Sequence, residues 1–251
     1  MRKITDKNEI KNFLCEHRID NLNIAGYMHN HPDECNIWVN NGDSVRGLVL
    51  YGEETKYYII NCYDDDFIKE AVRDIFDGKE VFFSGVRKEL ADKLMLLGKS
   101  RKTTDIEDSC YLYYYPYKSV EGLSKNVRPL HIEDAPVIDY FYTYRSSGSL
   151  DAIKRDIQRR PGVGLELDGE LVAWTLVHPD NSNGILYVKP FFRGSNLGTE
   201  VGKALTQAVI DRGDIPFVHI VNGNDTSVHI TEKMGFRFGY NVVWFECDFS
   251  K

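Results

Sequence analysis

The stretch Val188-Lys189-Pro190-Phe191-Phe192-Arg193-Gly194-Ser195-Asn196-Leu197-Gly198 lies where a predicted strand passes into a predicted helix. Pro190 ends the strand, and the hydrophobic pattern predicts an amphipathic helix over 197–212. The glycines between them let backbone N–H groups converge on one point, where the helix dipole adds partial positive charge. Arg193 supplies a full charge, so a diphosphate would fit this turn. A tight strand-to-helix connection without a ligand is the alternative that these residues alone leave open.

A second motif follows about 25 residues later, and the two together resemble a known superfamily. Residues 224–236 read NDTSVHITEKMGF, with an Asn at a predicted helix start and a Gly-Phe pair after the helix. In that order and at that distance, the segments resemble motifs A and B of the GNAT superfamily of acyl-CoA-dependent N-acyltransferases. The preceding GELVAW, Gly169 to Trp174, looks most like the glycine N-acyltransferase-like branch. The resemblance covers roughly 127–249.

The resemblance implies a GNAT acyltransferase fold, of class α+β with a mixed α/β sheet, and acetyl-CoA or coenzyme A as co-substrate. It implies that the pantetheine arm pairs with strand backbone and that the pyrophosphate lies on the N–H groups of the Arg193 turn. The cofactor-binding residues implied in this way are Leu186, Tyr187, Val188, Arg193, Gly194, Ser195, Asn196, Leu197, Gly198, Thr199 and Asn224.

The sequence departs from the superfamily pattern at two positions. Asn196 takes the place of the first motif glycine, and Asn tolerates left-handed backbone better than most residues. Thr231 stands where many members carry a Tyr that donates a proton to the leaving thiolate, and a threonine hydroxyl is a much weaker acid. We therefore expect Thr231 to occupy the position of the catalytic acid but to be a poor proton donor there.

The general base is not marked by a carboxylate on the strand that enters the turn. Nearby candidates are Glu166, His178, Asp180 and His219, each of which also reads as an ordinary loop or strand-end residue. We place His178 first, because an imidazole titrates close to neutral pH.

The first half of the chain has a similar rhythm of strands and helices. A short polar segment at 118–126 predicts a boundary between two domains, 1–120 and 126–251. We expect the first to be a degenerate GNAT-like domain and the second to be the catalytic, acyl-CoA-binding domain. In the first, the patterns predict helices over 8–17, 65–77 and 86–97, and strands over 35–39, 45–51, 57–62, 80–85 and 111–117. In the second, they predict helices over 134–144, 149–158, 197–212 and 225–234, and strands over 127–132, 163–167, 171–177, 185–188, 217–221 and 240–248.

Composition excludes some classes of partner. The 251 residues carry a net charge of −7 and no run of five basic residues, which argues against nucleic acid. No apolar run is long enough for a membrane span, and no signal peptide is recognisable. Five scattered cysteines favour reduced thiols and a cytoplasmic location.

Three further groups have a structural and a functional reading. His29, His31, Asp33, Glu34 and Cys35 are possible metal ligands, but no second ligand pair is evident, so we expect a polar loop and no metal. The tyrosines of 111–117 could stack on bases, yet without basic neighbours they fit a packed strand better. The aromatic group 141–144 either lines an amine pocket or belongs to the core.

The leading hypothesis is transfer of an acetyl or short acyl group from CoA to a primary amine of a small molecule, by direct attack. The alternative is a non-catalytic acyl-CoA-binding regulatory module. The acceptor and the oligomeric state stay open.

Overall fold

The computed structural model describes residues 1–101 and 109–250. It divides into two compact units, and each unit draws on more than one segment of the chain. The first unit comprises Met1–Leu112, Val221–Gly223 and Gly239–Lys251, and the second comprises Tyr113–Ile220 and Asn224–Phe238. None of the helices in the described residues combines the length and the apolar character that crossing a membrane requires.

The first unit is built on a mixed sheet with helices packed against it. Its strands are β1 (Arg2–Ile4), β2 (Cys35–Val39), β3 (Gly47–Gly52), β4 (Tyr58–Cys62), β5 (Glu80–Arg87), β6 (Lys99–Arg101), most of β7 (Ser109–Tyr114) and the part of β13 (Arg237–Asp248) from Gly239 onward. Its helices are α1 (Lys11–Glu16), α2 (Leu22–Asn30), α3 (Asp65–Ala71) and α4 (Lys88–Leu97), with a π-helical turn over Val72–Phe76.

The chain's last strand completes the sheet of this first unit. In the order β1-β2-β3-β4-β5-β13, β4 and β5 pair in parallel and β13 runs antiparallel to β5. Phe245 of β13 stacks on Phe83 of β5 with the ring centroids 4.8 Å apart, and both rings are buried. The core of the unit therefore contains side chains from both ends of the sequence.

The second unit is built on a four-stranded antiparallel sheet in the order β11-β10-β9-β8. Its strands are β8 (Val127–Pro129), β9 (Gly162–Leu167), β10 (Glu170–Val177), β11 (Asn183–Val188) and, outside that sheet, most of β12 (Phe217–Val221) and the last two residues of β7. Its helices are α5 (Ala135–Tyr140), α6 (Ser149–Arg159), α7 (Leu197–Asp211) and α8 (Asp225–Lys233). Val201, Leu205 and Val209 of α7 are buried against β9 and β10.

The two units share one order of elements along the chain. From β1 to α4 the order is strand, two helices, three strands, helix, strand, helix, and the order from β8 to α8 is the same. In both series the third of the three consecutive strands leads directly into a helix. This regularity extends the similar rhythm of strands and helices that the sequence shows in its two halves.

Most predicted elements are present, and the mixed sheet agrees with the predicted α/β class. Strands β2 and β12 have the predicted bounds, and Asp168 and Gly169 form the predicted turn with φ of 50° and 80°. The predicted strand 127–132 ends at Pro129, and the predicted helix 134–144 ends at Tyr140. The prediction missed α2, whose N-cap Asn21 makes no side-chain capping bond. The domain ranges 1–120 and 126–251 stay a prediction.

Candidate functional site

Strand β11 carries a β-bulge near its start. Trp174 of β10 pairs with Tyr187 and Leu176 pairs with Gly184, so two β11 residues, Ile185 and Leu186, lie opposite one residue of β10. Ile185 has a φ of 51°, which is unfavourable for a β-branched side chain. A bulge of this kind redirects backbone groups locally, and bulges are common beside active sites.

One edge of β11 has no strand beside it in the four-stranded sheet. Among the described strands β11 pairs only with β10, and β12 belongs to a different sheet. The backbone of Leu186, Tyr187 and Val188 therefore offers an edge to which an extended ligand can add. Leu186 is exposed, and the other two residues are partly buried.

The turn that follows β11 contains two residues in the left-handed conformation. Gly194 has a φ of 81° and Asn196 a φ of 63°. Residues 193–196 are exposed, and the 15-residue helix α7 begins at Leu197. The side chain of Asn196 makes no capping bond to the first turn of α7 and instead accepts a hydrogen bond from Lys233 Nζ at 3.0 Å. The helix N-terminus thus presents its dipole to this exposed turn.

Two side chains beside the turn are held in defined positions. Arg193 Nε donates to the Val188 carbonyl at 3.1 Å, and its guanidinium carbon lies 5.5 Å from the centroid of the Tyr187 ring. Asn224 is the N-cap of α8, where its Oδ1 accepts the Ser227 N–H at 3.1 Å. The capping bond occupies Oδ1 of Asn224, and a ligand contact would use Nδ2.

A cluster of histidines and carboxylates adjoins the start of β11. His219 on β12 is buried, and its Nδ1 lies 3.9 Å from Oδ2 of Asp180. Asp180 Oδ1 accepts hydrogen bonds from Ser182 N–H at 3.0 Å and Ser182 Oγ at 2.6 Å. Next to them, Arg160 pairs with Asp156. The cluster therefore brings together β12, the β10–β11 connection and the C-terminal end of α6.

The ring of His178 packs directly on the backbone of β11. A Cβ added to Gly184 would lie 1.9 Å from His178 Nε2, so only a glycine leaves room for the ring there. Thr175 Oγ1 donates to the Gly184 carbonyl at 2.8 Å, which fixes the same backbone segment from the β10 side. The imidazole is therefore held one residue away from the bulge at Ile185.

Burial lowers the pKa of both histidines. For His178, the cost of desolvating the charged ring is the largest cause; Asp180 acts in the opposite direction, and Arg160 lowers the pKa further. For His219, burial again comes first, Asp180 opposes it, and His178 adds to the lowering. Both rings are therefore neutral near pH 7, which is the form in which an imidazole accepts a proton.

The other residues considered from sequence occupy different environments. Thr231 lies in α8 and is buried. Glu166 makes an ion pair with Arg128 at 3.0 Å, which accounts for its position on β9. In the aromatic group 141–144, the Phe141 ring stacks on Tyr187 at 5.2 Å, whereas Tyr144 is exposed. Sequence reasoning missed the bulge at Ile185 and the place of Arg160 beside the histidines, because no local pattern marks either.

Comparisons with known proteins concern the fold of the chain. A sequence model of the FR47-like protein family matches residues 162–245, about a third of the chain. No match was found among curated proteins. A solved structure of a Drosophila protein superposes with a TM-score of 0.77 at 16% identity, covering 99% of this chain and 98% of that one.

Two bacterial acetyltransferases also share the fold. A GCN5-related N-acetyltransferase from Kribbella flavida has a TM-score of 0.57 at 14% identity and covers 92% of this chain and 94% of its own. An acetyltransferase of the GNAT family from Colwellia psychrerythraea has a TM-score of 0.55 at 13% identity and covers 98% and 99%. The chain therefore has the GNAT fold that the sequence predicts.

Proposed function

We propose that the chain is a CoA-dependent N-acyltransferase that moves an acetyl or short acyl group to a primary amine of a small molecule. In this proposal the second unit belongs to the GNAT superfamily, near the glycine N-acyltransferase-like branch, and carries the reaction. The first unit is a degenerate GNAT-like domain with the same element order. The observation that carries the proposal is the left-handed turn at Gly194 and Asn196, in front of α7 and next to the bulged edge strand β11.

Charge and backbone geometry support the proposed binding of acetyl-CoA. The pyrophosphate of acetyl-CoA would accept hydrogen bonds from the N–H groups of 193–199, with Arg193 and the α7 dipole offsetting its charge. The pantetheine arm would add to the free edge of β11 at Leu186, Tyr187 and Val188. Asn224 Nδ2 would hydrogen-bond the same arm.

The position of His178 supports the proposed acyl-transfer step. The amine nitrogen attacks the thioester carbon, the carbon–sulfur bond breaks, and the ammonium proton passes to His178 as the general base. A backbone N–H at the bulge would stabilise the developing oxyanion. Asp180 and His219 lie beside this imidazole and would orient it. The sulfur leaves as a thiolate and takes its proton from water, because Thr231 is a poor acid.

The strand-to-helix turn of the first unit differs from the turn before α7. At the matching strand-to-helix turn, Asp64 caps α3 by accepting the Phe67 N–H at 2.7 Å. Asp65 and Asp66 follow in the first helical turn. These three carboxylates lie at the N-terminus of α3, where a diphosphate would bind, and each is already ion-paired, with Arg46, Lys93 and Lys69 respectively. The Asp64 cap also occupies one N–H of that helix, so we assign one acyl-CoA site to the chain, in the second unit.

Other parts of the proposal rest on composition and on single side chains. All five cysteines are free, which suits a cytoplasmic protein. The net charge of −7 disfavours nucleic acid as a partner. The buried Thr231 at the position of the general acid favours the second candidate function, an acyl-CoA-binding regulatory module that does not catalyse transfer.

A matched pair of glycine variants tests the cofactor site. Gly194 and Gly213 both have positive φ, and an added Cβ would meet no atom within 4 Å at either. Gly194→Ala and Gly213→Ala therefore impose the same kind of backbone strain, before and after α7. We expect calorimetric titration to show acetyl-CoA binding at least about tenfold weaker in Gly194→Ala only, a loss of roughly 1.4 kcal/mol. Equal effects of both variants would contradict the assigned site.

Thiol release across a panel of small primary amines separates the two candidate functions. Turnover with any amine, lost in His178→Ala while acetyl-CoA binding persists, supports the acyltransferase and its base. Tight acetyl-CoA binding without turnover on every amine favours the regulatory module. A protein that binds neither acetyl-CoA nor CoA would overturn both.

A further inference from the structure

The first unit holds a cluster of possible metal ligands of its own. His31 follows α2, Glu34 lies in the turn before β2, and Glu54 lies in the turn between β3 and β4. One ligand atom from each residue lies within 4.8 Å of the others. The sequence shows His31 and Glu34 as neighbours but gives no sign of Glu54, which the pairing of β2 with β3 brings to them.

The distances around the imidazole fit a shared cation better than two hydrogen bonds. His31 Nδ1 lies 3.3 Å from Glu34 Oε2 and 3.4 Å from Glu54 Oε2. A ring nitrogen carries at most one hydrogen, so it can make only one well-aligned hydrogen bond, and charge-assisted hydrogen bonds are shorter, at about 2.7–2.9 Å. Two ligand atoms of a tetrahedral zinc ion with bonds of about 2.0–2.1 Å are roughly 3.4 Å apart.

The protein fixes these groups before any ion binds. The His31 side chain is fully buried and stacks on Tyr27 with the ring centroids 4.4 Å apart. The His31 N–H donates to the Tyr27 carbonyl at 2.8 Å, and the Glu53 N–H donates to the Glu34 carbonyl at 2.9 Å. The last bond ties the two turns that carry the carboxylates. Such support reduces the ordering cost of binding.

The two carboxylates lie on the solvent side of the His31 ring, where a cation would bind. The side chain of Glu54 is 16% exposed and that of Glu34 is 45% exposed, so the carboxylates form the accessible face. Two carboxylates and a neutral imidazole carry a charge of −2, which a divalent cation balances, and water completes the coordination.

We propose that His31, Glu34 and Glu54 form a zinc site in the first unit, with water as the remaining ligand. The proposal departs from the expectation of no metal that the sequence supports, and it does not depend on acyl transfer. Its only chemical step is binding of the ion by the neutral imidazole and the two carboxylates.

The test is a calorimetric titration of the full chain, purified without a histidine tag, with ZnCl₂. We expect one zinc ion per chain, and affinity at least about tenfold lower in Glu54→Gln. Glu53→Gln is the matched control, because Glu53 lies in the same turn but its carboxylate bonds to Asn36 and Lys56. It should bind zinc as the unchanged protein does.

A second variant and a second readout keep the test decisive. If Glu54→Gln fails to fold, Glu34→Gln removes the more exposed ligand and should also weaken binding. Zinc at many times its dissociation constant should raise the melting temperature of the unchanged protein and not that of the ligand variants. Absence of stoichiometric zinc binding, or equal affinity in Glu54→Gln and Glu53→Gln, would overturn the site and leave an ion pair of His31 with its carboxylates.

Discussion

Gly184 lies under the His178 ring, and we expect Gly184→Ala to destabilise the second unit. The added Cβ would lie 1.9 Å from Nε2 and 2.2 Å from Cδ2 of that ring, and real Cβ contacts are not found below 3.0 Å. Forcing an extra carbon into a packed site costs about 1–3 kcal/mol. For a chain of this size, each kcal/mol lowers the melting temperature by about 2–4 °C. The expected fall is therefore roughly 2–12 °C.

A double-mutant cycle shows whether the His178 ring is the cause of that loss. His178→Ala removes the ring, so Gly184→Ala should cost less than about 0.5 kcal/mol in that background, by urea unfolding. Gly162→Ala, in β9 of the same sheet, is the control: its Cβ would meet only leucine methyls and methines, the nearest at 3.1 Å, and should cost less. If Gly184→Ala melts like the unchanged protein, or costs the same with and without the ring, the packing of His178 on β11 is wrong.

Three other features lead to direct measurements. Burial lowers the pKa of His178 and His219 below the value of about 6.5 in the unfolded chain, so the unfolded chain binds more protons between the two values. Stability therefore rises with pH there: we expect urea unfolding to become easier as pH falls below about 6.5, and less steeply so in His219→Gln. If His219→Gln leaves the pH dependence of stability unchanged, the buried His219 is not one of its causes. The free energy of unfolding of Asn196→Gly should lie within about 1 kcal/mol of that of the unchanged protein, whereas Asn196→Val should lose about 1–3 kcal/mol, because the φ of 63° disfavours a β-branched residue. Equal melting temperatures of the two variants would refute this expectation. Burial raises the pKa of Cys62 to about 12, so mass spectrometry after alkylation near pH 8 should find the exposed Cys15 modified first, and early labelling of Cys62 would contradict its burial.

The turn before α7 can be predicted from the sequence, because its conformation depends on the residues of the turn itself. Gly194 and Asn196 are residue types that accept left-handed backbone, and both adopt it. The hairpin at Asp168 and Gly169 follows from the same reasoning. In each case a short run of residues carries its own conformational preference, and the surrounding fold does not oppose it.

The rest of the candidate site depends on contacts that no local pattern records. Ile185 adopts a φ of 51° against its own preference, because the pairing of β10 with β11 imposes the bulge. His219 meets Asp180 only once β12 and the β10–β11 connection have folded beside each other. Glu54 reaches His31 in the same way, through a strand register. Tertiary structure decided these positions.

The position of β13 has a consequence for synthesis on the ribosome. The edge of β5 pairs with residues 242–248, and about 130 residues of the second half are made after Leu112 and before that partner. At about 5–20 residues per second, the first half waits roughly 6–26 s with this edge uncovered. An open strand edge is a template for pairing with another chain. Nascent chains of this protein are therefore expected to need chaperone protection until the last strand emerges, and loss of that strand would damage the half that is made first.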